Sequence, residues 1–306
     1  MSCLKNFISA EYAIGCRFVP ENGNLLFQNN MTLFKLLPSG KRYWYADPML
    51  FEYEGRRCLF FEAFDKRKNL GRIACCMLKE DGTFSEVKII LSEDIHLSYP
   101  DVFSRSGKIY MIPEASASGQ IRLYECIDFP YQWRQLPPIL NGVKTVDSTL
   151  FEHNGKTWLF SAELDSAYMH ATKLNLFEVT EELKLIPHLC NPVETDLSSS
   201  RPAGKIFKFN GSLIRPSQDC SEGEYGRAVK FNKITCLAGN IYEEETFRTV
   251  NFENISADTG KKISGCHTYA LSEDRRFEII DIKFNKIDIL LGLKISVYQL
   301  LKRFRG

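Results

Sequence analysis

The amino-acid sequence predicts an all-β fold, a five-bladed β-propeller followed by a C-terminal amphipathic α-helix. Three observations lead there. A unit of apolar strand, polar turn closing on glycine, and second apolar strand returns about every 50 residues, the spacing of four-stranded blades. In the first four copies a phenylalanine (Phe51, Phe103, Phe151, Phe207) stands four residues before the turn glycine, an offset that a two-sheet sandwich has no need to keep. Near the C-terminus the apolar residues change to steps of three and four, the period of a helix.

Taken in order, the segment from Glu11 to Phe27 is expected to close the ring by joining the last blade. The first blade opens with Asp47-Pro-Met-Leu-Phe-Glu-Tyr-Glu-Gly and the second with Tyr99-Pro-Asp-Val-Phe-Ser-Arg-Ser-Gly. The third opens with Asp147-Ser-Thr-Leu-Phe-Glu-His-Asn-Gly and the fourth with Ala203-Gly-Lys-Ile-Phe-Lys-Phe-Asn-Gly. The glycine turns are hairpin signals, and Arg72–Leu78 and Ile121–Ile127 supply outer strands. A fifth, degenerate copy starts at His267-Thr-Tyr-Ala-Leu and turns at Glu273-Asp274. The propeller is thus assigned to residues 1–285 and the helix to 286–306. There Ile287, Leu290, Leu291, Val297, Tyr298, Leu301 and Phe304 form an apolar face surrounded by Lys283, Lys286, Lys294, Lys302, Arg303 and Arg305. Such a segment suits an anionic membrane surface.

Composition narrows the function. Apolar residues are 44% and charged residues 25%, enough for a sizeable core. The net charge of +1 gives no global attraction for nucleic acid. Ten scattered cysteines without a CxxC pair contain no zinc or redox motif, and read as reduced, buried thiols of a cytoplasmic protein. The sequons at Asn30, Asn210 and Asn254 are then chance matches. Met1–Ala10 lacks the pattern of a signal peptide, and no apolar run reaches the ~18 residues that span a membrane. The expected location is the cytoplasm, with contact at the inner face of the membrane through 286–306. No residue spacing specifies a metal or another cofactor.

The innermost strand of every propeller blade runs along the central channel, so equivalent positions converge. The first repeat position holds Asp47, Tyr99, Asp147, Ala203 and His267; fifteen residues later stand Glu62, Glu114, Ala162 and Gln218. Carboxylates, a phenol and an imidazole at one level of a channel point to a pocket, because buried charges need partners or solvent. Paired carboxylates suit glycosyl chemistry, one acid protonating the departing oxygen and one base activating the nucleophile. Asp47, Glu114 and Asp147 are therefore the candidate catalytic residues. Trp44, Tyr45 and Tyr99 offer faces for stacking on a sugar, and Arg201 and Arg215 offer forks for phosphate or carboxylate. Glu62, Asp219, Tyr225 and His267 complete the expected substrate site. Singly, each has a structural reading: Asp47 as a strand start before proline, Asp147 as a turn cap, His267 as a satisfied core histidine. Convergence carries the signal.

An ordered set of motifs resembles a known family. Trp44-Tyr-Ala-Asp-Pro, Phe60-Phe-Glu, His96-Leu-Ser-Tyr-Pro, Tyr110-Met-Ile-Pro-Glu, Ser200-Arg-Pro-Ala-Gly, Arg215-Pro-Ser-Gln-Asp-Cys and Tyr225-Gly resemble the propeller domain of glucosamine inositolphosphorylceramide transferases. The likeness runs from about Ala13 to Tyr269 and implies work in surface-glycan or glycolipid assembly. In plants that domain precedes a separate transferase domain, which this sequence does not include. More distantly the blades are similar to glycoside hydrolase family 43, which implies Asp47 as general base and Asp147 as the residue tuning a neighbouring pKa. That resemblance leaves the acid unassigned, since no Glu-Gly-Pro follows Asp147 and Glu114 lies on another blade. The leading expectation is glycosyl transfer from a sugar or nucleotide-sugar to a glycan or glycolipid acceptor. The alternatives are a non-catalytic glycan-binding module serving a transferase, and a family-43-like hydrolase.

Overall fold

The computed structural model describes residues 8–21, 25–28, 33–164, 171–221 and 224–287. The first two strands, β1 (Ile8–Phe18) and β2 (Lys35–Leu36), await the end of the chain. The first blade is β3 (Tyr43–Tyr53), β4 (Arg56–Asp65), β5 (Leu70–Leu78) and β6 (Lys88–Leu91), and the second is β7 (Ser98–Arg105), β8 (Lys108–Glu114), β9 (Gln120–Asp128) and β10 (Gln132–Asn141). The third is β11 (Thr145–His153), β12 (Lys156–Leu164), β13 (Ala171–Val179) and β14 (Leu185–Pro187). In the fourth, β15 (Arg201–Pro202) and β16 (Phe207–Phe209) share the inner position before β17 (Ser212–Asp219), β18 (Ala228–Ala238) and β19 (Ile241–Asn251). The fifth places β20 (Ile263–Gly265) and β21 (Tyr269–Leu271) inside β22 (Phe277–Ile287), with β1 and β2 outermost. All ladders are antiparallel, and the five sheets make a five-bladed propeller.

Turn chemistry explains the hairpins. Glu54-Gly55, Ser106-Gly107, Asn154-Gly155 and Asn210-Gly211 all have positive φ at both positions, the twist that matches two-residue hairpins. The core lies between blades rather than on the axis. Alternate residues of one strand face opposite seams: Leu59 and Phe61 pack toward the fifth blade, Phe60 toward the second. Each of the five seams has its own apolar cluster. At the level of the first repeat position buried polar side chains gather instead, among them Asp47, Glu62, Asp147 and His267.

The ring closes through β1 and β22, paired from Ile8↔Ile287 to Phe18↔Phe277, as the sequence predicts for the N-terminal segment. A buried ion pair pins the seam: Arg17 Nε donates to Glu278 Oε2 at 2.9 Å, while Leu26 N and Tyr269 OH donate to Glu278 Oε1. This pairing carries β22 through Lys286 and Ile287, so the expected helix does not begin at 286. Lys286 instead meets Glu11 at 3.2 Å. The rest of the expected helix and membrane contact, 288–306, lies outside the described residues. Among the described residues no helix is long and apolar enough to cross a membrane. The nine described cysteines are free thiols, most of them buried.

Candidate active site

Three inner strands carry the same irregularity at the same level. The β3–β4 register slips between Ala46 and Met49, β7–β8 between Ser98 and Asp101, and β11–β12 between Val146 and Thr149. Within each slip a non-glycine residue takes positive φ: Asp47 at 53°, Tyr99 at 42°, Asp147 at 52°. Such backbone is sparsely populated and persists where surrounding structure enforces it. The bulges set the orientation of the side chains at the first repeat position.

Asp47 sits on the seam between the first and fifth blades. Its Oδ1 accepts from Thr268 Oγ1 at 2.9 Å and lies 3.6 Å from His267 Nε2; its Oδ2 accepts from Tyr99 N at 3.3 Å. Asp281 holds this arrangement from below, accepting from the backbone N–H of His267 (2.8 Å), Thr268 (3.0 Å) and Asp47 (3.1 Å) and pairing with His267 Nδ1. Burial pushes the Asp47 carboxyl up to about 6, against the opposing pull of His267. His267 is raised despite its own burial, because Asp281 and Asp47 flank it. Among the described residues Asp47, His267 and Asp281 have the reach to share a cation, yet their ligand atoms are already engaged in these internal bonds.

Asp147 is 1% exposed and answers to the fourth blade. Its Oδ2 accepts from Arg201 Nε at 2.5 Å and from Gln218 Nε2 at 2.8 Å. Burial raises its pKa, with Arg201 pulling the other way. Glu114 is tied at both oxygens, to Ser98 Oγ at 2.9 Å and Ser116 N at 2.7 Å. Glu62, its equivalent on β4, is also buried, but among the described residues its Oε1 has no well-formed hydrogen bond, and His96 Nε2 lies 3.3 Å from it. Burial drives Glu62 well above the usual carboxylate range, and Asp47, Glu114, Asp281 and Asp147 add to the effect.

The aromatic rim differs from expectation. Tyr12, on β1, stacks on His267 with centroids 4.6 Å apart and approaches Trp44 at 5.5 Å; Tyr225 meets the His267 ring edge-on at 5.0 Å under the Arg201 guanidinium. Trp44 stacks on Phe64 and lines a cleft of about 350 Å³ between the first and fifth blades. Tyr45 points the other way, into the apolar seam against Phe61, because adjacent strand residues face opposite sides. Tyr99 is fully buried: its hydroxyl accepts from Gly204 N at 2.7 Å and pairs with Thr149 Oγ1 at 2.9 Å, so it ties three blades together and offers no stacking face. Arg215 is turned toward the outer strand, where Glu244 takes its Nε at 2.7 Å and Ser199 O its Nη2. Asp219 caps its own loop through Ser221 N and Oγ.

Sequence reasoning missed Asp281, His96, Thr268 and Tyr12. Asp281 had a signal, a lone carboxylate within Ile279-Ile280-Asp281-Ile282. The fifteen-residue offset lands on Ile282 instead, because Asp281 stands one residue before the strand position that Glu62 holds on the first blade. The far mouth of the channel, toward the hairpin turns, holds a cavity of about 510 Å³ lined by all five blades, including Glu52, Ser104, Glu152, Lys205 and Arg275. None of the candidate residues lines it.

Residues 38–273 match a family model described as "Glucosamine inositolphosphorylceramide transferase 1, N-terminal". Glucosamine inositolphosphorylceramide transferase 1 of Arabidopsis thaliana is 34% identical over 206 residues, 65% of this chain and 26% of that protein. The protein of the same name from Oryza sativa subsp. japonica is 36% identical over 204 residues, 65% of this chain and 27% of that one. The chain thus spans about a quarter of the length of the curated relatives it matches. Among solved structures, α-L-arabinofuranosidase from Lactobacillus brevis superposes with a TM-score of 0.53 at 17% identity, covering 76% of this chain and 81% of that one. A family 117 glycoside hydrolase from Zobellia galactanivorans gives 0.54 at 12%, covering 93% and 92%. A thermostable family-43 glycoside hydrolase gives 0.56 at 14%, covering 81% and 90%. At these identities the likeness to solved structures concerns the fold.

Proposed function

The chain belongs to the glucosamine inositolphosphorylceramide transferase 1 N-terminal family, and we propose that it is a carbohydrate-active protein of glycolipid or surface-glycan assembly, transferring a glycosyl unit at the axial carboxylate cluster. One observation carries the reading. Tyr12 OH, Glu62 Oε1, Asp147 Oδ1 and Gln218 Oε1, from four strands around the channel, are buried without hydrogen-bond partners among the described residues. Each such group costs about 1–3 kcal/mol unless something else satisfies it. A polyol, with hydroxyls that both donate and accept, matches that mixed set.

Asp47, poised near neutrality and held by Thr268 and the Tyr99 amide, is suited to take the proton of an incoming acceptor hydroxyl. Asp147, paired with Arg201, supplies negative charge for an oxocarbenium-like transition state. Incubation with nucleotide-sugars, alkyl and aryl glycosides, and glycan or glycolipid acceptors tests the proposal. Asp47→Asn is expected to lose about 10²–10⁴-fold in turnover, the usual scale of a general base. Full turnover in both Asp47→Asn and Asp147→Asn overturns the assignment.

A second reading, a glycan-binding module that presents substrate to a transferase, is favoured by Glu114, whose two oxygens are tied to Ser98 Oγ and Ser116 N. Sugar binding by calorimetry with no turnover of any donor would select it. Release of free sugar with no acceptor product would select a hydrolase.

A further inference from the structure

Two glutamates occupy the same place on the second strands of neighbouring blades, yet the fold treats them differently. Glu114 receives a hydroxyl and a backbone N–H, one on each oxygen. Glu62 faces Asp47, Glu114, Asp147 and Asp281 across the channel, and no backbone N–H donor comes to it among the described residues. Its polar neighbour is His96, on the connection from β6 to β7.

The orientation of His96 is set by the chain. Gly71 N donates to His96 Nδ1 at 3.0 Å, so in the neutral ring the hydrogen resides on Nε2, which faces Glu62 Oε1. Gly71 is glycine for this reason. A Cβ there would lie 2.5 Å from Glu62 Oε1, 2.5 Å from Leu97 O and 2.7 Å from His96 Cε1.

We propose that Glu62 is the proton donor of the site, with His96 as its positioning residue, and that the group it protonates is a sugar or polyol oxygen rather than a phosphate. This rests on the reading of the site as one that acts on a glycosyl bond. As the bond from the anomeric carbon to the leaving oxygen breaks, its electron pair stays on that oxygen, which takes the Glu62 proton. The acceptor hydroxyl bonds to the anomeric carbon and gives its proton to Asp47. Exchange with solvent returns Asp47 and Glu62 to their starting forms, so no net proton is gained or lost. The Glu62 anion left behind accepts from His96 Nε2–H. A phosphate leaving group needs no such donor. The other four buried acidic residues around the channel, Asp47, Glu114, Asp147 and Asp281, disfavour a diphosphate, and Arg201 already faces Asp147. Burial among those carboxylates also holds Glu62 as the neutral acid.

Two measurements on the whole protein test this. Infrared difference spectra at pH 7 are expected to show a protonated-carboxyl stretch that Glu62→Gln removes and Glu114→Gln leaves; a spectrum unchanged by Glu62→Gln overturns the proposal whether or not any substrate is turned over. In kinetics, Glu62→Gln is expected to lose about 10²–10⁴-fold on an alkyl glycoside but far less on a glycosyl fluoride, whose leaving group needs no proton. His96→Leu, by removing the N–H that stabilises the anion, is expected to move the alkaline limb of the pH profile upward, and His96→Gln to restore it. Equal loss on both donors, or an unmoved limb in His96→Leu, overturns the assignment while leaving the glycosyl reading intact. A wild-type protein that turns over no glycosyl donor removes both.

Discussion

Asp47 shows how one residue joins stability to chemistry. Its carboxyl is raised from the ordinary 3.8 to about 6, so the folded state holds its proton more tightly than the unfolded chain. Its contribution is full below about pH 4 and is lost as the pH rises through about 6. His267, also raised, adds in the same direction, with loss as the pH climbs through its folded pKa. Thermal melts are therefore expected to fall between pH 5 and 8. Asp47→Asn keeps a residue that tolerates the 53° backbone and removes the buried charge. It is expected to melt above wild type at pH 8, with the gap narrowing toward pH 5, even as turnover is lost. A gap that does not change with pH would mean that Asp47 is not the titrating group. Asp147 has the same backbone but a cation, Arg201, at hand, and this difference separates two aspartates that look alike in sequence.

Strands and seams make the site rigid. Tyr99 reads in sequence as a stacking face, yet its ring fills the seam between the first and second blades and its hydroxyl accepts the Gly204 amide. Tyr99→Phe leaves that buried N–H without its partner, and a loss of about 1–3 kcal/mol in denaturant unfolding is expected. Gly204 has φ of 131°, and a Cβ there would stand 2.0 Å from Tyr269 O, across the seam where Tyr269 N donates to Ala203 O. Gly204→Ala is expected to destabilise by more than about 2 kcal/mol, since the clash is with backbone and the seam must open to relieve it. Unfolding by urea measures both variants. A Gly204→Ala protein as stable as wild type would show that the seam is more compliant than its geometry implies.

The ring as a whole depends on pairing between its first and last described strands. The eleven-residue pairing of β1 with β22 completes the fifth blade, and the Arg17–Glu278 pair lies buried within that closure. Arg17→Met strands the Glu278 carboxylate, and a loss of about 3–5 kcal/mol is expected, read as a lower midpoint of one cooperative transition. The blade count, the hairpin turns and the closing strand were legible in sequence because they rest on local signals: glycine turns, the phenylalanine offset and strand alternation. Asp47, Asp147 and His267 were legible as a group because repeat register maps onto the axis. The roles of Tyr45, Tyr99 and Arg215 were not, since a bulge or one step of alternation decides whether a side chain meets the channel, a seam or an outer strand. Sequence placed Glu114 with the catalytic candidates and Glu62 with the substrate site, although the two share a register position and no local signal fixes the donors around either. Only the tertiary structure distinguishes them: Ser98 and Ser116 meet both oxygens of Glu114, whereas Glu62 lies among carboxylates that other blades bring to the axis.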